Sequence, residues 1–196
     1  MQGGGIKNWE MCVLAGGLSS RMGRDKSKLR LGGRTLLTHA RSLGPALGLP
    51  VRIIRNDLTP RCGPLGGIIT SLRTTNAEAV IFIPCDMPFL TKRIIEGLIG
   101  ALRRRDMAVF AGHGRGFGFP CILRTGVLDK IEALFNEGHY SLQALARGLR
   151  ARCWRAHGED GALDNVNTPE EWAAVRRRWK VSGAVKKRLT KRRGVG

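Results

Sequence analysis

The 196-residue chain is predicted to fold as an α/β protein, in which helices cover both faces of a mostly parallel sheet and so form three layers. Two observations predict this class. Short, mainly apolar runs stop at glycine, proline or polar residues, as strands that are buried on both faces do. Between these runs lie segments whose apolar residues recur at helical spacing, and strands that alternate with helices pair in parallel through right-handed crossovers.

Four apolar runs are the predicted strands of this sheet. They occupy residues 11–15, 51–54, 79–83 and 107–111, and the first stops at Gly16-Gly17. Helices are predicted from their start signals: Thr35 caps a helix that runs to about Leu43, residues 67–73 begin a second, and Thr91 caps a third. Ligands of such sheets bind outside the carboxyl ends of the strands, so the residues that follow each strand are the candidates for function.

Composition excludes several classes of protein. The chain has 34 Lys and Arg against 15 Asp and Glu, a net charge of +19, but its 42% hydrophobic content predicts a packed core rather than a disordered polycation. No apolar run approaches the roughly 20 residues that cross a bilayer, and no secretory signal is recognisable. Five widely spaced cysteines without a C-x-x-C pair disfavour disulfides and zinc. We therefore expect a cytoplasmic protein with no membrane partner.

Much of the positive charge lies at the carboxyl terminus. From Val175 to Gly196 there are ten basic residues and no acidic one. Blocks of like charge usually stay disordered, so we predict a single domain over residues 1–180 and a basic, disordered tail over 181–196. A nucleic acid is the functional alternative for this tail, but the tail has no aromatic residue on which bases would stack, which disfavours nucleic acid as the partner.

A glycine-rich turn follows the first predicted strand. Gly16-Gly17 would allow the backbone to approach a bound group closely, and Arg21, Arg24 and Lys26 follow within nine residues. Together they are typical of a polyphosphate cradle, with Lys26 as a point charge and Arg21 as a planar fork. The segment matches neither the dinucleotide fingerprint nor the Walker A pattern, and an ordinary turn is the alternative.

Asp86 follows the third predicted strand and stands between Pro84 and Pro88. A carboxylate at this place is a candidate ligand for Mg²⁺, which prefers one or two carboxylates together with phosphate oxygens and water. A turn cap is the alternative interpretation. A further glycine-rich segment, residues 63–67, is interpreted either as a helix start or as a backbone surface for a flat base.

The last predicted helix has an unusually complete start signal. Thr168 is a suitable N-cap, Pro169 occupies the first helical position and Glu171 lies three residues after the cap. Asn165 and Asn167 precede this helix, and the chemistry of the residues alone favours a loop with additional cap donors there.

In combination, four segments resemble the molybdenum cofactor guanylyltransferases, the MobA family. They follow the family's order and span residues 12–172: Leu14-Ala15-Gly16-Gly17 with Arg21, Asp25 and Lys26; Gly63-Pro64-Leu65-Gly66-Gly67; Pro84-Cys85-Asp86-Met87-Pro88-Phe89; and Asn165-Val166-Asn167-Thr168-Pro169-Glu170. The resemblance implies a Rossmann-like nucleotidyltransferase fold. It also implies transfer of GMP from GTP to molybdenum-molybdopterin, with release of pyrophosphate, and Mg²⁺ as cofactor. Molybdoenzymes or other proteins of cofactor biosynthesis are the implied partners.

The resemblance also assigns roles to individual residues. Lys26 and Arg21 would act on the phosphates, Asp86 would hold both GTP and Mg²⁺, and Asn165 and Asn167 would contact the pterin. The nucleotide-binding set that it implies is Leu14, Ala15, Gly16, Gly17, Lys26, Asp57 and Asp86.

The chain departs from the family between Leu37 and Gly63. This interval has room for one strand, whereas family members generally fit a further strand that ends in an Asn. Asp57 is the nucleotide contact that carries over.

Two alternatives within nucleotidyl transfer are a cytidylyltransferase that acts on the same pterin and a sugar-1-phosphate nucleotidyltransferase. The cytidylyl group tends to have L-A-A-G where this chain has Leu14-Ala15-Gly16-Gly17, which favours guanine. A nucleic-acid-binding protein that uses the basic tail is the alternative from another class.

Overall fold

A computed structural model describes residues 8–16, 25–55, 63–114, 116–156, 158 and 161–193, with the backbone alone from residue 182 onward. Eight strands and seven α-helices are defined within these ranges. In chain order they are β1 Trp9–Leu14, β2 Arg30–Leu31, β3 Arg34–Thr35, α1 Leu36–Arg41, α2 Leu43–Ala46, β4 Val51–Ile54, α3 Pro64–Arg73, β5 Ala79–Pro84, α4 Lys92–Ala101, β6 Ala108–His113, β7 Gly116–Arg124, α5 Leu128–Asn136, α6 Leu142–Gly148, β8 Arg152–Trp154 and α7 Pro169–Arg193. Short 3₁₀ helices occupy Lys26–Lys28 and Thr125–Val127.

Six strands form the central sheet in the order β4-β1-β5-β7-β6-β8, and β2 pairs with β3 in a separate hairpin. β1 is parallel to both β4 and β5, and β6 is parallel to β8. The four predicted strands are therefore present, and the α/β class with a mostly parallel sheet is confirmed.

Both faces of the sheet are covered. Successive side chains of a strand point to opposite faces, yet five of the six residues in β1 and five of the six in β5 are buried. α4 packs against β6, β7 and β8, while α3, α5 and α6 contact one another along the sheet. The largest side chains of this core include Phe82 and Phe110, which are fully buried.

β7 is the antiparallel strand of the mostly parallel sheet. It is antiparallel to both of its neighbours, β5 and β6. The connection from β6 explains this direction, because Gly114 lies between the two strands with a positive φ of 53° and the chain reverses in a hairpin rather than crossing over through a helix. β7, β8, α5 and α6 are not among the elements predicted from the sequence.

The predicted helix starts are confirmed at Thr35 and Thr91, and a third helix begins earlier than expected. The side-chain oxygens of Thr35 and Thr91 accept hydrogen bonds from the backbone N–H groups of Thr38 and Ile94, so both residues are N-caps. α3 begins at Pro64, three residues earlier than residue 67, because Gly63 adopts a positive φ of 56° and Pro64 takes the first helical position.

The carboxyl ends of β1, β4 and β5 meet at one edge. Leu14 lies opposite both Ile54 and Pro84, so the residues that follow these strands are neighbours. The N–H of Ala15 donates to the carbonyl of Ile54 at 2.8 Å. A Cβ on Gly16 would collide with the carbonyl oxygen of Arg55, so a glycine is required for this close approach.

α7 is attached to the rest of the molecule by a second, smaller apolar cluster. Its buried members are Leu31, Leu36, Val166 and Val175, and Trp179 packs against them. α7 continues as helix to Arg193, so its backbone is helical across most of the segment for which a disordered tail is expected. The division at residue 180 remains a prediction. No described helix combines the length and apolar character of a membrane span.

Candidate active site

Asp86 lies two residues beyond the last residue of β5, at the edge where β1 and β4 also end. Its position is fixed through its backbone, because its carbonyl accepts a hydrogen bond from the N–H of Val166 at 2.9 Å. This bond joins the β5 turn to the segment that precedes α7. One side-chain oxygen, Oδ2, forms an ion pair with Nζ of Lys26 at 3.3 Å.

Lys26 is brought to Asp86 by a short, well-capped helical turn. Oδ1 of Asp25 accepts from the backbone N–H of Ser27 at 3.0 Å and from its hydroxyl at 2.7 Å. The hydroxyl of Ser27 is the main reason why the pKa of Asp25 is lowered. Asp25 therefore starts the 3₁₀ helix and holds Lys26 at its first position.

Asn167 is the third member of this group. Its Oδ1 accepts a hydrogen bond from Nζ of Lys26 at 2.8 Å, so the ammonium bridges Asn167 and Asp86. Oε2 of Glu171 accepts from the backbone N–H groups of Asn167 and Thr168, and the hydroxyl of Thr168 accepts from the N–H of Glu171 at 3.2 Å. This is the capping box that the sequence predicts, and it fixes the backbone of Asn167.

The electrostatic state of Asp86 is unusual. Burial raises the pKa of its carboxyl above the ordinary value, and nearby Glu171 adds to this; the charge and hydrogen bond of Lys26 oppose the increase without cancelling it. Oδ1 of Asp86 is buried and has no hydrogen-bond partner among the described residues. A buried carboxylate oxygen without a partner is costly unless a ligand completes it.

The residues around Asp86 fit a hard cation only if the substrate supplies further ligands. The described part of the chain contains no cluster of three or more His, Cys, Asp or Glu side chains able to hold a metal. The partnerless Oδ1 supplies one carboxylate oxygen, which is the kind of ligand that Mg²⁺ takes together with phosphate oxygens and water. The chemistry therefore fits Mg²⁺ that arrives with a triphosphate.

A cleft of about 390 Å³ opens beside Asn167, between the end of β6 and α7. It is lined by Phe89, His113, Leu163, Asp164, Asn165, Asn167, Glu171, Ala174, Val175 and Arg178. The guanidinium carbon of Arg178 lies 4.1 Å from the centroid of the Phe89 ring. Nε2 of His113 is 2.7 Å from the carbonyl oxygen of Phe119, and because a carbonyl only accepts, this nitrogen is the donor.

The structure brings together several of the predicted site residues. Lys26, Asp86 and Asn167 are in direct contact, and Asn165 lines the adjoining cleft. Leu14, Ala15 and Gly16 lie at the same edge of the sheet as Asp86. Gly17, Arg21 and Asp57, together with Arg24, lie outside the described residues, so their predicted roles remain predictions.

Sequence reasoning missed the walls of the cleft. In the sequence Arg178 is one of a run of basic residues, and no motif marks His113. Phe89 belonged to a recognised motif but had no assigned role. No local sequence pattern links these three residues, because they come from the β5 turn, β6 and α7 and meet only in the folded structure.

Comparison with known proteins agrees with this geometry. The family model described as "MobA-like NTP transferase domain" matches residues 11–154. A molybdenum cofactor guanylyltransferase from Xanthomonas euvesicatoria is 30% identical over 182 residues, covering 85% of this chain and 94% of the relative. One from Pseudomonas entomophila is 29% identical over 185 residues, covering 81% of this chain and 93% of the relative.

Solved structures show the same fold. Molybdopterin-guanine dinucleotide biosynthesis protein A from Archaeoglobus fulgidus has a TM-score of 0.65 at 18% identity, covering 89% of this chain and 99% of that one. The 2-C-methyl-D-erythritol 4-phosphate cytidylyltransferase from Thermus thermophilus has a TM-score of 0.65 at 14% identity, covering 87% and 98%. These likenesses confirm the Rossmann-like nucleotidyltransferase fold, and the family match covers most of the chain. The chain belongs to the MobA-like NTP transferase family and is a nucleotidyltransferase.

Proposed function

We propose that this chain transfers GMP from GTP to molybdenum-molybdopterin, which yields the molybdopterin guanine dinucleotide form of the cofactor and pyrophosphate. The observation that carries the proposal is the contact between Lys26 and the incompletely satisfied carboxylate of Asp86, at the carboxyl edge of the sheet. The guanylyltransferase names of the relatives that match most of the chain support this substrate pair.

The reaction needs no nucleophilic side chain. An oxygen of the pterin's terminal phosphate attacks the α-phosphorus of GTP. The bond between the α-phosphorus and the oxygen that bridges it to the β-phosphorus breaks, and pyrophosphate leaves with that oxygen. Transfers of this kind are accelerated mainly by positioning and by neutralising charge. The site must therefore hold two anionic substrates in line at Lys26 and Asp86.

Each residue has a defined part in this proposal. Asp86 holds Mg²⁺, which when bound supplies positive charge against the phosphates of GTP. Lys26 compensates negative charge that develops on the departing pyrophosphate, and Asn167 orients the ammonium of Lys26 through its Oδ1. Arg21 is proposed to share the task of Lys26. Asn165 and Asn167 are proposed to face the pterin.

The nucleotide is proposed to lie along the ends of β1 and β4. The close approach of Gly16 to Arg55 leaves little bulk there, so a base and ribose can lie against the backbone of Leu14, Ala15 and Gly16. Gly17 and Asp57 are further proposed contacts.

We also propose one catalytic domain over residues 1–180, with a basic tail beyond it. The proposed location is the cytoplasm, and the proposed recipients of the product are molybdoenzymes or proteins of cofactor biosynthesis.

A pyrophosphate-release assay tests the proposal. Purified protein with Mg²⁺ is given GTP, CTP or ATP, each with and without molybdenum-molybdopterin. We expect release only when GTP and the pterin are both present. A preference for CTP would assign the chain to the cytidylyltransferase alternative, and release with a sugar 1-phosphate in place of the pterin would overturn the acceptor.

The nucleic-acid alternative uses the basic tail over residues 181–196, which follows the exposed Arg176, Arg177 and Lys180 of α7. It predicts binding to nucleic acid that weakens steeply with salt and is lost when residues 181–196 are removed. Our proposal expects that this truncation leaves guanylyl transfer within about twofold of the full chain. Loss of transfer in a folded, truncated protein would contradict it.

A further inference from the structure

We propose that an arginine-rich surface, at the end of the sheet opposite Asp86, binds an acidic protein partner. This arginine surface is formed by the turn between α4 and β6, the last residue of β7 and the start of β8. Its cations are Arg103, Arg104, Arg105, Arg124, Arg150 and Arg152. The inference does not rest on the proposed function, because none of these residues belongs to the candidate active site.

The arginine surface is remote from the place where nucleotidyl transfer is proposed. β5 and β6 run in the same direction, because β7 is antiparallel to both. The surface lies where β6 and β8 begin, whereas Asp86 lies beyond the last residue of β5. A strand rises about 3.3 Å per residue, so β5 separates the two ends by roughly 20 Å. These arginines therefore do not neutralise phosphates that are held at Asp86.

Asp106 holds the three parts of the surface together. Its Oδ2 accepts from Nε of Arg152 at 2.6 Å and from the backbone N–H of Arg103 at 2.9 Å. Its carbonyl oxygen accepts from Nε of Arg124 at 3.0 Å. The hydrogen bond from Arg152 is the main reason why the pKa of Asp106 is lowered. The turn, β7 and β8 are thus fixed relative to one another.

The remaining arginines of the surface have no such partner. Arg104, Arg105 and Arg150 are exposed, and none of them forms an ion pair with a carboxylate in the part of the chain that the structure describes. The turn keeps Arg104 and Arg105 next to each other, since the N–H of Asp106 donates to the carbonyl of Arg103 at 3.0 Å. Like charges held together repel one another, and an anionic partner would relieve this repulsion.

The composition of the surface favours a protein over a nucleic acid. Arginine and methionine are enriched at protein interfaces and lysine is depleted, and here every cation is an arginine. The surface also includes Met107, which is 41% exposed and adjoins Arg124 through a backbone hydrogen bond. None of the residues that form it is aromatic, so bases would find nothing on which to stack. The partner that fits presents Asp and Glu around an apolar side chain, because guanidinium groups pair bidentately with carboxylates.

Fluorescence anisotropy of the full chain tests this inference with two labelled probes at physiological salt. One is a short polyglutamate peptide with a single central leucine, and the other is oligodeoxythymidylate of equal charge. The variant combines Arg104→Glu, Arg105→Glu and Arg150→Asp, since aspartate tolerates the positive φ of 50° at residue 150. We expect the peptide Kd to rise about tenfold or more, because ion pairs are replaced by repulsion.

The matched control reverses three exposed charges on α7, through Arg176→Glu, Arg177→Glu and Lys180→Glu. The peptide Kd should then stay within about threefold of wild type. A loss as large as that of the first variant would overturn the inference, as would the absence of peptide binding to the wild-type chain. A larger loss for the oligonucleotide than for the peptide would identify a nucleic-acid surface and would also overturn it.

Met107→Ser distinguishes a protein interface from a merely cationic surface. Binding of the peptide with leucine should weaken about threefold, while a leucine-free peptide of the same charge should bind as before. Equal effects on both peptides would contradict the proposed interface. Pyrophosphate release by the triple variant at Arg104, Arg105 and Arg150 should stay within about twofold of wild type. Loss of release in this folded variant would assign these arginines to catalysis and overturn a separate binding surface.

Discussion

Two ion pairs lie at opposite ends of the parallel strands, and their carboxylates are equally shielded but unequally satisfied. The Glu10 side chain is 12% exposed and the Asp86 side chain 16% exposed. Oε1 of Glu10 accepts a hydrogen bond from Nε of Arg52 and forms an ion pair with Nη2, and the guanidinium also donates to Ser71 and Thr74. Asp86 has Lys26 on one oxygen and no described partner on the other.

The difference is the one expected between an ion pair that stabilises the fold and the pair to which we assign a role in catalysis. The planar guanidinium of Arg52 donates to Glu10, Ser71 and Thr74. The pair with Glu10 therefore joins β1, β4 and the end of α3, and it leaves no buried side-chain polar atom without a partner among the described residues. Lys26 brings a single ammonium, which contacts one oxygen of Asp86, and the other oxygen has no partner among the described residues. An unsatisfied carboxylate lowers stability, and such costs are concentrated where function requires them.

The largest expected effect comes from Asp86→Asn. We expect guanylyl transfer to fall by about 10³-fold or more, because charge compensation at the phosphates is lost. The protein should remain folded, with a Tm at least equal to that of wild type, since a buried carboxylate with a raised pKa is replaced by a neutral amide. Pyrophosphate release and thermal unfolding measure the two effects. Near-normal turnover would remove the metal assignment, and an unfolded variant would place Asp86 with Glu10 as a structural residue.

Lys26→Met tests the other half of the same pair. Transfer should fall by roughly 10²-fold as phosphate charge loses its counter-charge. The variant should also lose about 1 kcal/mol of unfolding free energy, because Asp86 is left buried without a cation. Combining Lys26→Met with Asp86→Asn should restore stability but not activity, which a double-mutant cycle in urea would measure. Additive losses of stability would show that the two side chains are not coupled.

Glu10→Gln should give the opposite result. We expect a loss of about 2 kcal/mol in the free energy of unfolding, because Arg52 keeps its neutral partners but loses its charged one. kcat and both KM values should stay within about twofold. Glu132→Gln is the matched control, since its pair with Arg73 is more exposed and should contribute less than about 1 kcal/mol. A catalytic defect in folded Glu10→Gln would remove the contrast between the two ends of the sheet.

The smallest expected effect is the pH dependence of stability that Asp86 contributes. The pKa of Asp86 is raised in the folded protein, so the native state binds more protons than the unfolded state, and stability falls as pH rises from the ordinary carboxyl pKa through the folded one. Tm measured in EDTA for wild type and Asp86→Asn should therefore diverge in favour of the variant as pH increases across this window. Curves that converge with rising pH would mean that Lys26 outweighs burial.

β1 and β5 were predictable because both are almost wholly apolar and stop at glycine or proline. The length of the apolar run at residues 79–83 and the turns that flank it predict a strand, and β5 covers this run. β8 has only three residues and a mixed burial pattern, so no periodicity marks it. β7 was missed because glycines and a proline interrupt its nine residues, and its pairing depends on the hairpin with β6.

Lys26 and Asp86 could be assigned to the candidate site from the sequence, because each lies in a recognisable motif that follows a predicted strand. The cleft could not be predicted, because its walls are assembled by tertiary packing of distant segments. Arg178 is an example. In the sequence it is the last of three consecutive arginines, and only its contact with Phe89 in the folded protein distinguishes it from Arg177. Glu171 was recognised as a cap, whereas its effect on the charge state of Asp86 required the fold.

The small apolar cluster between α7 and residues 29–36 links the cleft beside α7 to the turn that carries Lys26. Val175 and Trp179 hold α7 on Leu31 and Leu36, and the same cluster supports the turn that carries Lys26. Detachment of this helix would therefore uncover the cleft and release the lysine in one event, so the two segments should behave as a single cooperative opening unit. Amide hydrogen exchange would show it as matching protection in residues 25–36 and 169–180, and independent exchange in the two segments would contradict it.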